Sequence, residues 1–429
     1  MSSPKFAYPL LRGSLLVLPY ASYGGLIGLI GLIGSLLIRH RRSPLDPITQ
    51  NGLWGIVGLM LLSSLLAENR AEALLQLANF LPFFLLFAVL PFLLDRLERL
   101  EQLATDWVIA ALPISIFALV EYILKAEFIP RSLRSFPPVH WARHRPHAGR
   151  AMAMFAHPNA LASYLVLLFG LGLGLILFAA MRQRLKSFPS GITYPVASKT
   201  KFMLLSGATA AHLLGIFASG SRNGLVIAIL QLLGFGILWA VLLKANRRVL
   251  SISALGIGVL LIGAAGLGIG GRSLAVKDWV NDPRFRLWWI SLDLLQKRPW
   301  FGWGLGNYKF QFPDRLLALY PSCAGVRSRR IIPVECADVT HAHNFWITLA
   351  VEGGILLAIA LTVWVGYICW QAVKALWLRQ IQSPQNALLL GYLFAFSGCI
   401  AFAFFDVTLY DARVNTLDWV ILSGIYCLS

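Results

Sequence analysis

Hydrophobic positions in this chain fall in long unbroken runs, separated by short polar stretches. Apolar runs cover residues 14–38, 52–67, 73–94, 103–124, 160–181, 202–219, 224–243, 249–270, 345–373, 387–405 and 414–427. A helix crossing the hydrocarbon core needs about 20 apolar residues, within a range of roughly 17 to 25. Each run therefore predicts a membrane-spanning helix, eleven in all. Pro19 inside the first run leaves a helical hairpin over residues 10–38 open, which would make twelve. Two long polar stretches, 125–159 and 271–344, interrupt the series. The expected fold is an all-α integral membrane protein of 11–12 transmembrane helices with one large extracytoplasmic loop. The expected division is N-terminal helices over 1–270, the loop over 271–344 and C-terminal helices over 345–429.

Composition agrees. Of 429 residues, 58% are hydrophobic and only 13% charged, about half the share of a soluble domain. Three soluble domains would suit the length, but so few charges cannot cover them. Disorder, collagen-like repeats and a disulfide-dense secreted scaffold are excluded on the same ground. The start of the chain, MSSPKFAYPLLRGS, runs into the first apolar stretch without an evident cleavage site and is expected to begin the membrane domain.

A net charge of +18 would suggest nucleic acid on a soluble chain. Here it serves topology first, and no nucleic-acid partner is expected. One alternate set of loops holds RHRR at 39–42, DRLERLEQ at 95–102, the basic loop 182–201, the stretch 244–248 and the stretch 374–379. The short loops of the other set hold only Arg70, Arg222 and Arg413. The first set is expected to be cytoplasmic. The long segments on the opposite side are basic as well, and that excess is available to an anionic substrate. Cys369, Cys399 and Cys427 lie in apolar runs where a thiol packs. Cys323 and Cys336 share a polar loop and can pair in an oxidising compartment.

The repeat GGLIGLIGLIG at 24–34 reads as a smooth ridge for close helix packing. GWGLG at 302–306 lacks the strand–helix unit of a dinucleotide site. No phosphate-binding Walker motif or metal-ligand cluster is evident. Chemistry is expected where ionisable residues crowd the mouths of the spans on the extracytoplasmic side. Arg222 stands in SGSRNG, between two spans and flanked by glycines. Arg284 and Arg286 precede an amphipathic, tryptophan-rich stretch with Leu287, Ile290 and Leu294 on one face. An arginine there suits phosphate, because its planar fork binds two oxygens. His341, His343 and Asn344 form HAHN directly before a span that carries Glu352. Histidine can take a proton from a hydroxyl near neutral pH; two at i and i+2 also invite a metal, but no third ligand is evident. FDVTLYDARVN places Asp406, Asp411 and Arg413 in a short polar turn, readable as paired structural charges or as substrate contacts. Arg150, His157 and Asn159 lie at the mouth of the span from 160, where Asn159 suits a helix cap.

FxHPN at 155–159, SRNG at 221–224, RxxW at 286–289 leading into PWFGWGLGNY at 299–308, and AHNFW at 342–346 closing the loop occur in that order. Together they resemble the O-antigen ligase and polymerase superfamily of bacterial polytopic membrane proteins. The resemblance runs from about Arg150 to the C-terminus, and the first four spans agree in character only. It implies transfer of a glycan from an undecaprenyl-diphosphate carrier to an acceptor hydroxyl, without nucleotide sugar, metal or other cofactor. The acceptor is lipid A core for a ligase or a second lipid-linked repeat unit for a polymerase, and the ligase is the leading expectation. By the same resemblance Arg222 and Arg286 clamp the diphosphate and His343 activates the acceptor hydroxyl, with inversion at the anomeric carbon. Arg284 competes with Arg286 and His341 with His343; Asn344, Arg150, Asp411 and Arg413 complete the expected substrate contacts. Arg327, Arg329 and Arg330, within 323–336, match no family feature and suit anionic sugars or lipid. The implied location is the bacterial inner membrane, amid membrane lipids, with the site facing the periplasm. The rival is a transporter, since members of the superfamily have been labelled bicarbonate carriers. It predicts broken helices with charge at mid-membrane, whereas the charges here crowd the outer mouth.

Overall fold

The computed structural model describes residues 4–40, 42–124, 149–185, 199–243, 282–326, 333, 336–379 and 383–429. The expected span at 249–270, most of the basic segment 125–159, the basic stretch 244–248, and Arg327, Arg329 and Arg330 lie outside them. Every regular element among the described residues is helical. In chain order these are α1 (Pro4–Val17), α2 (Ser22–Arg39), α3 (Pro47–Leu65), α4 (Arg70–Gln76), α5 (Leu81–Val89), α6 (Leu97–Ala110), α7 (Leu112–Leu124), α8 (Pro158–Leu185), α9 (Lys199–Ala218) and α10 (Arg222–Leu243). Then come α11 (Arg284–Lys297), α12 (Tyr308–Leu319), α13 (Phe345–Leu378), α14 (Pro384–Ala403) and α15 (Ala412–Leu428). Among the described residues nine helical stretches are long and apolar enough to cross a membrane, α4–α5 and α6–α7 each counting as one. The chain is an all-α multi-pass membrane protein.

The first apolar run is a hairpin. The chain reverses at 18–21, around Pro19, and α2 packs back on α1. With 14 residues, α1 is about 21 Å long, too short for a hydrocarbon core of about 30 Å. The glycine repeat serves this reversal only in part. A Cβ at Gly28 would lie 2.1 Å from Ser14 Oγ, and one at Gly25 2.7 Å from Leu18 Cα, whereas Gly31 and Gly34 face open space. A period of three drifts around a helix of 3.6 residues per turn, so the ridge leaves the contact after one turn.

The centre of the bundle is α8, which is apolar on every side and enclosed almost along its whole length. It runs against α14 with glycine facing glycine: a Cβ on Gly174 would sit 2.0 Å from Gly391 Cα, and one on Gly170 2.8 Å from Ala395 Cα. Such close approach is what holds helices together where no hydrophobic effect separates helix from lipid. Helix starts are set by local chemistry: Asp46 accepts from Ile48 and Thr49 N–H at α3, Asn344 from Ile347 N–H at α13, and Ser383 from Asn386 N–H at α14.

The longest helix, α13, is broken at Gly354, where φ is +85°. The segment 299–304 fills the break. Trp303 N–H donates to Val351 O (2.9 Å), Gly304 N–H to Glu352 O (2.8 Å), and Ile355 N–H to Pro299 O (2.8 Å). Ser63 Oγ on α3 bonds both Phe301 O and Glu352 O. The glycines of PWFGWGLGNY allow this approach: Gly302 has φ +67° and a Cβ there would meet Glu352 O at 2.3 Å. The motif that is no nucleotide fingerprint is thus a backbone patch in a broken span. Beyond it, α11 and α12 build a small core of their own from Leu287, Ile290, Leu294, Tyr308, Phe312 and Leu316, sealed by a Cys323–Cys336 disulfide. The face expected for Leu287, Ile290 and Leu294 is the buried one.

Candidate active site

Charged groups gather at both ends of the bundle, while His212, Gln231 and Asp418 are buried within its helices. At one end Arg182 and Lys201 both bond Glu101 (2.8 Å each), and Arg379 bonds the last carbonyls of the chain. At the other end begin α8, α10, α13 and α15, and there the sequence-predicted site residues fall into two groups, one around His343 and one around Asp282.

His343 occupies a left-handed turn, φ +49°, immediately before α13. Two histidines at i and i+2 in extended backbone would point to one side and be spaced along it; the turn instead folds their rings together, with centroids 4.5 Å apart. His343 N–H donates to His341 Nδ1 (3.2 Å). His343 Nδ1 faces Asp406 Oδ1 at 3.1 Å, a carboxylate 63 residues further on. Asp406 is itself held on three counts: Val407 N–H donates to Oδ1 (2.9 Å), Asn159 Nδ2 donates to Oδ2, and the carboxylate is buried. Behind Asn159 stands Arg150, whose guanidinium donates to Asn159 Oδ1 and to Ser219 O (2.8 Å each). A continuous chain therefore runs from Arg150 through Asn159 and Asp406 to His343. Burial would push the Asp406 carboxyl up, but the hydrogen bonds from His343 and Asn159 and the nearby imidazoles hold it well below the usual carboxylate range. Burial, and then the neighbouring His343, push His341 down to about 4. With Asp406 as acceptor, the tautomer of His343 that donates from Nδ1 leaves Nε2 unprotonated.

The arginines arrange themselves differently from the expected pair. Arg222, first residue of α10, and Arg284, first residue of α11, both approach Asp282 Oδ2 at 3.7 Å. Arg284 and Trp288 lie one turn apart on α11 and share a face; Trp288 Nε1 donates to Ala342 O (3.0 Å), next to His343. Arg286 points elsewhere. Its guanidinium lies over the Tyr320 ring, 3.5 Å from the centroid, and its Nη2 is 4.0 Å from Cys323 Sγ. Its Nε is buried without a hydrogen-bond partner. The fold thus brings Arg284, and not Arg286, to Arg222. The RxxW resemblance favours Arg286 in sequence, with Arg284 as competitor; two residues are about 200° of helix rotation, so the two arginines point to different sides of α11.

Asn344 caps α13 and donates to Phe404 O (3.0 Å). Asp411 and Arg413 are joined to each other, Arg413 Nε to Asp411 Oδ1 at 2.8 Å, and Arg413 also bonds Met154 O (2.6 Å) and covers the Phe155 ring. They pin the FxHPN segment to the start of α15. Three residues take part in ways the sequence did not single out: Asp406 as the partner of His343, Asp282 between the arginines, and Glu352. Buried in the break of α13, Glu352 accepts from Tyr308 N–H (3.3 Å) and Tyr410 OH (3.4 Å). Nothing local to the polar turn 406–413 singles out Asp406; only the meeting of α13 and α14 does.

An apolar groove of about 820 Å³ runs between α13 and α14, with Trp288, Asn344 and Ile347 at its head and Cys369, Val373 and Leu393 further down. Its head adjoins the histidine turn. A second depression, about 710 Å³, lies at the opposite end of the bundle against Asp46, Lys374 and Arg379.

Residues 205–362 match the family model of the O-antigen ligases. Over that stretch the chain is similar to the O-antigen ligases. The match takes in Arg222, Arg284, Arg286, His341, His343, Asn344 and Glu352, and leaves Arg150, Asp406, Asp411 and Arg413 outside it. No curated protein matches the chain. Within the O-antigen ligase stretch, the patch 299–308 and the turn 341–344 are the parts that fix α11 and α13 to one another.

Proposed function

We propose that the protein is an O-antigen ligase, transferring a glycan from undecaprenyl diphosphate to a hydroxyl of lipid A core on the periplasmic side of the inner membrane. The observation that carries the reading is a histidine–carboxylate pair, His343 and Asp406, together with two arginines, Arg222 and Arg284, that both approach Asp282, Arg284 lying one turn from the Trp288 that bonds Ala342 O. His343 Nε2 takes the proton of the acceptor hydroxyl as that oxygen bonds the anomeric carbon. The bond from the anomeric carbon to the diphosphate oxygen breaks, and the electron pair leaves with the diphosphate. Attack from the face opposite the leaving group inverts the anomeric centre. Asp406 holds the imidazole in the required tautomer and stabilises the imidazolium that forms. Arg222 and Arg284 replace Asp282 with the diphosphate and stabilise its growing charge with fixed donors, so the transfer needs no metal. The apolar groove below Trp288 and Asn344 suits the polyprenyl chain. The basic loops at the far end and the Cys323–Cys336 disulfide, a bond of oxidising compartments, support this orientation.

The transporter reading predicts broken helices with charge at mid-membrane, and α13 is a broken helix with Glu352 buried at its break; that reading also needs backbone free to coordinate an ion. The break in α13 does unwind backbone, but its carbonyls at Val351 and Glu352 already accept from Trp303 and Gly304. The deciding experiment uses purified protein in detergent with an undecaprenyl-diphosphate oligosaccharide, EDTA, and either lipid A core or a second lipid-linked unit as acceptor. Transfer to core that persists in EDTA and is lost in His343→Ala supports the ligase. Extension of the lipid-linked unit makes it a polymerase with the same chemistry. No transfer to either acceptor refutes the glycosyltransferase.

A further inference from the structure

We infer that His341, His343 and Asp406 form a binding site for a divalent ion of the zinc class, and that the ion, when bound, silences the enzyme. The inference of silencing rests on His343 being the base; the inference of a site does not.

One ligand atom from each of the three side chains lies within 4.8 Å of the others. Ligands about 2.0–2.2 Å from a tetrahedral zinc ion stand roughly 3.3–3.5 Å apart, so small side-chain rotations close the set without moving backbone. Two imidazoles and one carboxylate are a borderline-soft donor set. It suits zinc, and it is poor for magnesium or calcium, which take oxygen. Three protein ligands also leave the fourth position open.

The convergence is built into the backbone. The left-handed turn at His343, φ +49°, brings the two rings of HAHN together where extended backbone would space them along one side, and a non-glycine residue holds that conformation at a cost in strain. The turn is then fixed from both directions: Ala342 N–H donates to Thr348 Oγ1 (3.1 Å), and Ala342 O accepts from Trp288 Nε1 (3.0 Å). Asp406 has the outer support that a coordinating carboxylate needs, since Asn159 and Val407 N–H hold its two oxygens and Arg150 holds Asn159. The site is reachable, with the His343 side chain about one-third exposed, 32%. A nitrogen of His343 bound to an ion disrupts the hydrogen bond to Asp406 or occupies the position that takes the acceptor proton. Either way the base is lost, and transfer without metal and inhibition by metal are two faces of one side-chain arrangement.

The test uses full-length protein carrying no polyhistidine tag, with Co²⁺ as the spectroscopic probe and Zn²⁺ as the competitor. The expected result is one Co²⁺ per chain with the visible absorption of a four-coordinate ion, bleached by Zn²⁺. His341→Ala and Asp406→Asn are each expected to weaken Co²⁺ binding about 10- to 100-fold, with elution volume and thermal unfolding retained. Zn²⁺ should inhibit wild-type transfer reversibly by EDTA, and each variant, scored against its own metal-free rate, should need about tenfold more Zn²⁺ or greater. Absence of the cobalt spectrum, or a spectrum unchanged in both variants, overturns the site. A spectrum with transfer indifferent to saturating Zn²⁺ overturns the silencing. Because the spectrum needs no substrate, its outcome stands apart from whether the protein transfers glycans.

Discussion

Asp406→Asn keeps the size of the side chain and removes its charge, and the geometry of the pocket sets the consequence. Asp406 Oδ1 takes the Val407 N–H and faces His343 Nδ1, while Oδ2 takes the Asn159 amide. An asparagine has one oxygen for these two places. With its oxygen toward Asn159, its NH₂ confronts the Val407 N–H and donates to His343 Nδ1. His343 then carries its proton on Nε2 and cannot accept another there. With its oxygen toward His343, its NH₂ meets the Asn159 NH₂, and Asn159 must turn and give up Arg150. The first orientation costs the catalytic tautomer; the second costs a buried charge-assisted bond. Such a bond is worth about 1.5–3 kcal/mol, or about 10- to 150-fold in rate at about 1.4 kcal/mol per decade. Loss of the tautomer in a serine-protease triad reaches about 10⁴-fold, which bounds the effect from above. The assay is initial-rate transfer of a fluorescent lipid-linked glycan at saturating donor, with donor affinity measured in parallel. The expected outcome is a fall in kcat of about 10- to 10³-fold with donor affinity nearly unchanged and a normal thermal transition. A kcat within threefold of wild type would show that Asp406 does not orient His343.

The arginines give a second contrast. Arg222→Ala and Arg284→Ala should each lower kcat/KM for the donor by about 10- to 100-fold, the value of a charge-assisted contact to phosphate. Arg286→Ala should act chiefly on the unfolding temperature, and a larger kinetic loss in Arg286→Ala than in Arg284→Ala would reverse the assignment. His341, whose proton affinity falls on folding to about 4 from an ordinary 6.5, makes stability pH-dependent. Below pH 6.5 the unfolded chain binds a proton there that the folded chain refuses, so stability should drop as pH falls from about 6.5 to 4. His341→Gln should flatten that slope in unfolding scans at fixed detergent. Gly354→Ala forces a Cβ to 2.0 Å from Trp300 O at a φ of +85°, and the blocking atoms are backbone. A loss of about 3 kcal/mol or more should appear as a markedly lower unfolding temperature and faster proteolysis within 299–308. Cys323→Ser with Cys336→Ser opens a 13-residue loop and should cost about 3 kcal/mol of loop-domain stability, read as lowered proteolytic resistance of α11–α12.

Sequence alone determined the solvent. Unbroken apolar runs of about 20 residues allow one class of structure, because backbone amides in lipid must be satisfied within a helix. It also determined the inventory of chemistry, since arginines, histidines and carboxylates at helix mouths stand out against apolar surroundings. Pro19 carried the hairpin as an open alternative, and α1 and α2 realise it. Pairing was a different matter. RFR in α11 offers two arginines to a motif, and helix rotation gave the site Arg284 while Tyr320 took Arg286. HAHN offered two metal ligands, and the third, Asp406, lies across the turn between α14 and α15. GWGLG gave no hint that it patches a broken span, because the carbonyls it satisfies, Val351 and Glu352, lie about 50 residues further on in another helix. Helix formation and membrane insertion are local, decided by side chains within a few turns and by the lipid around them. Which functional side chains meet depends on how separate helices rotate and pack, as where Gly174 lies against Gly391, α8 packs on α14, and Asn159 meets Asp406.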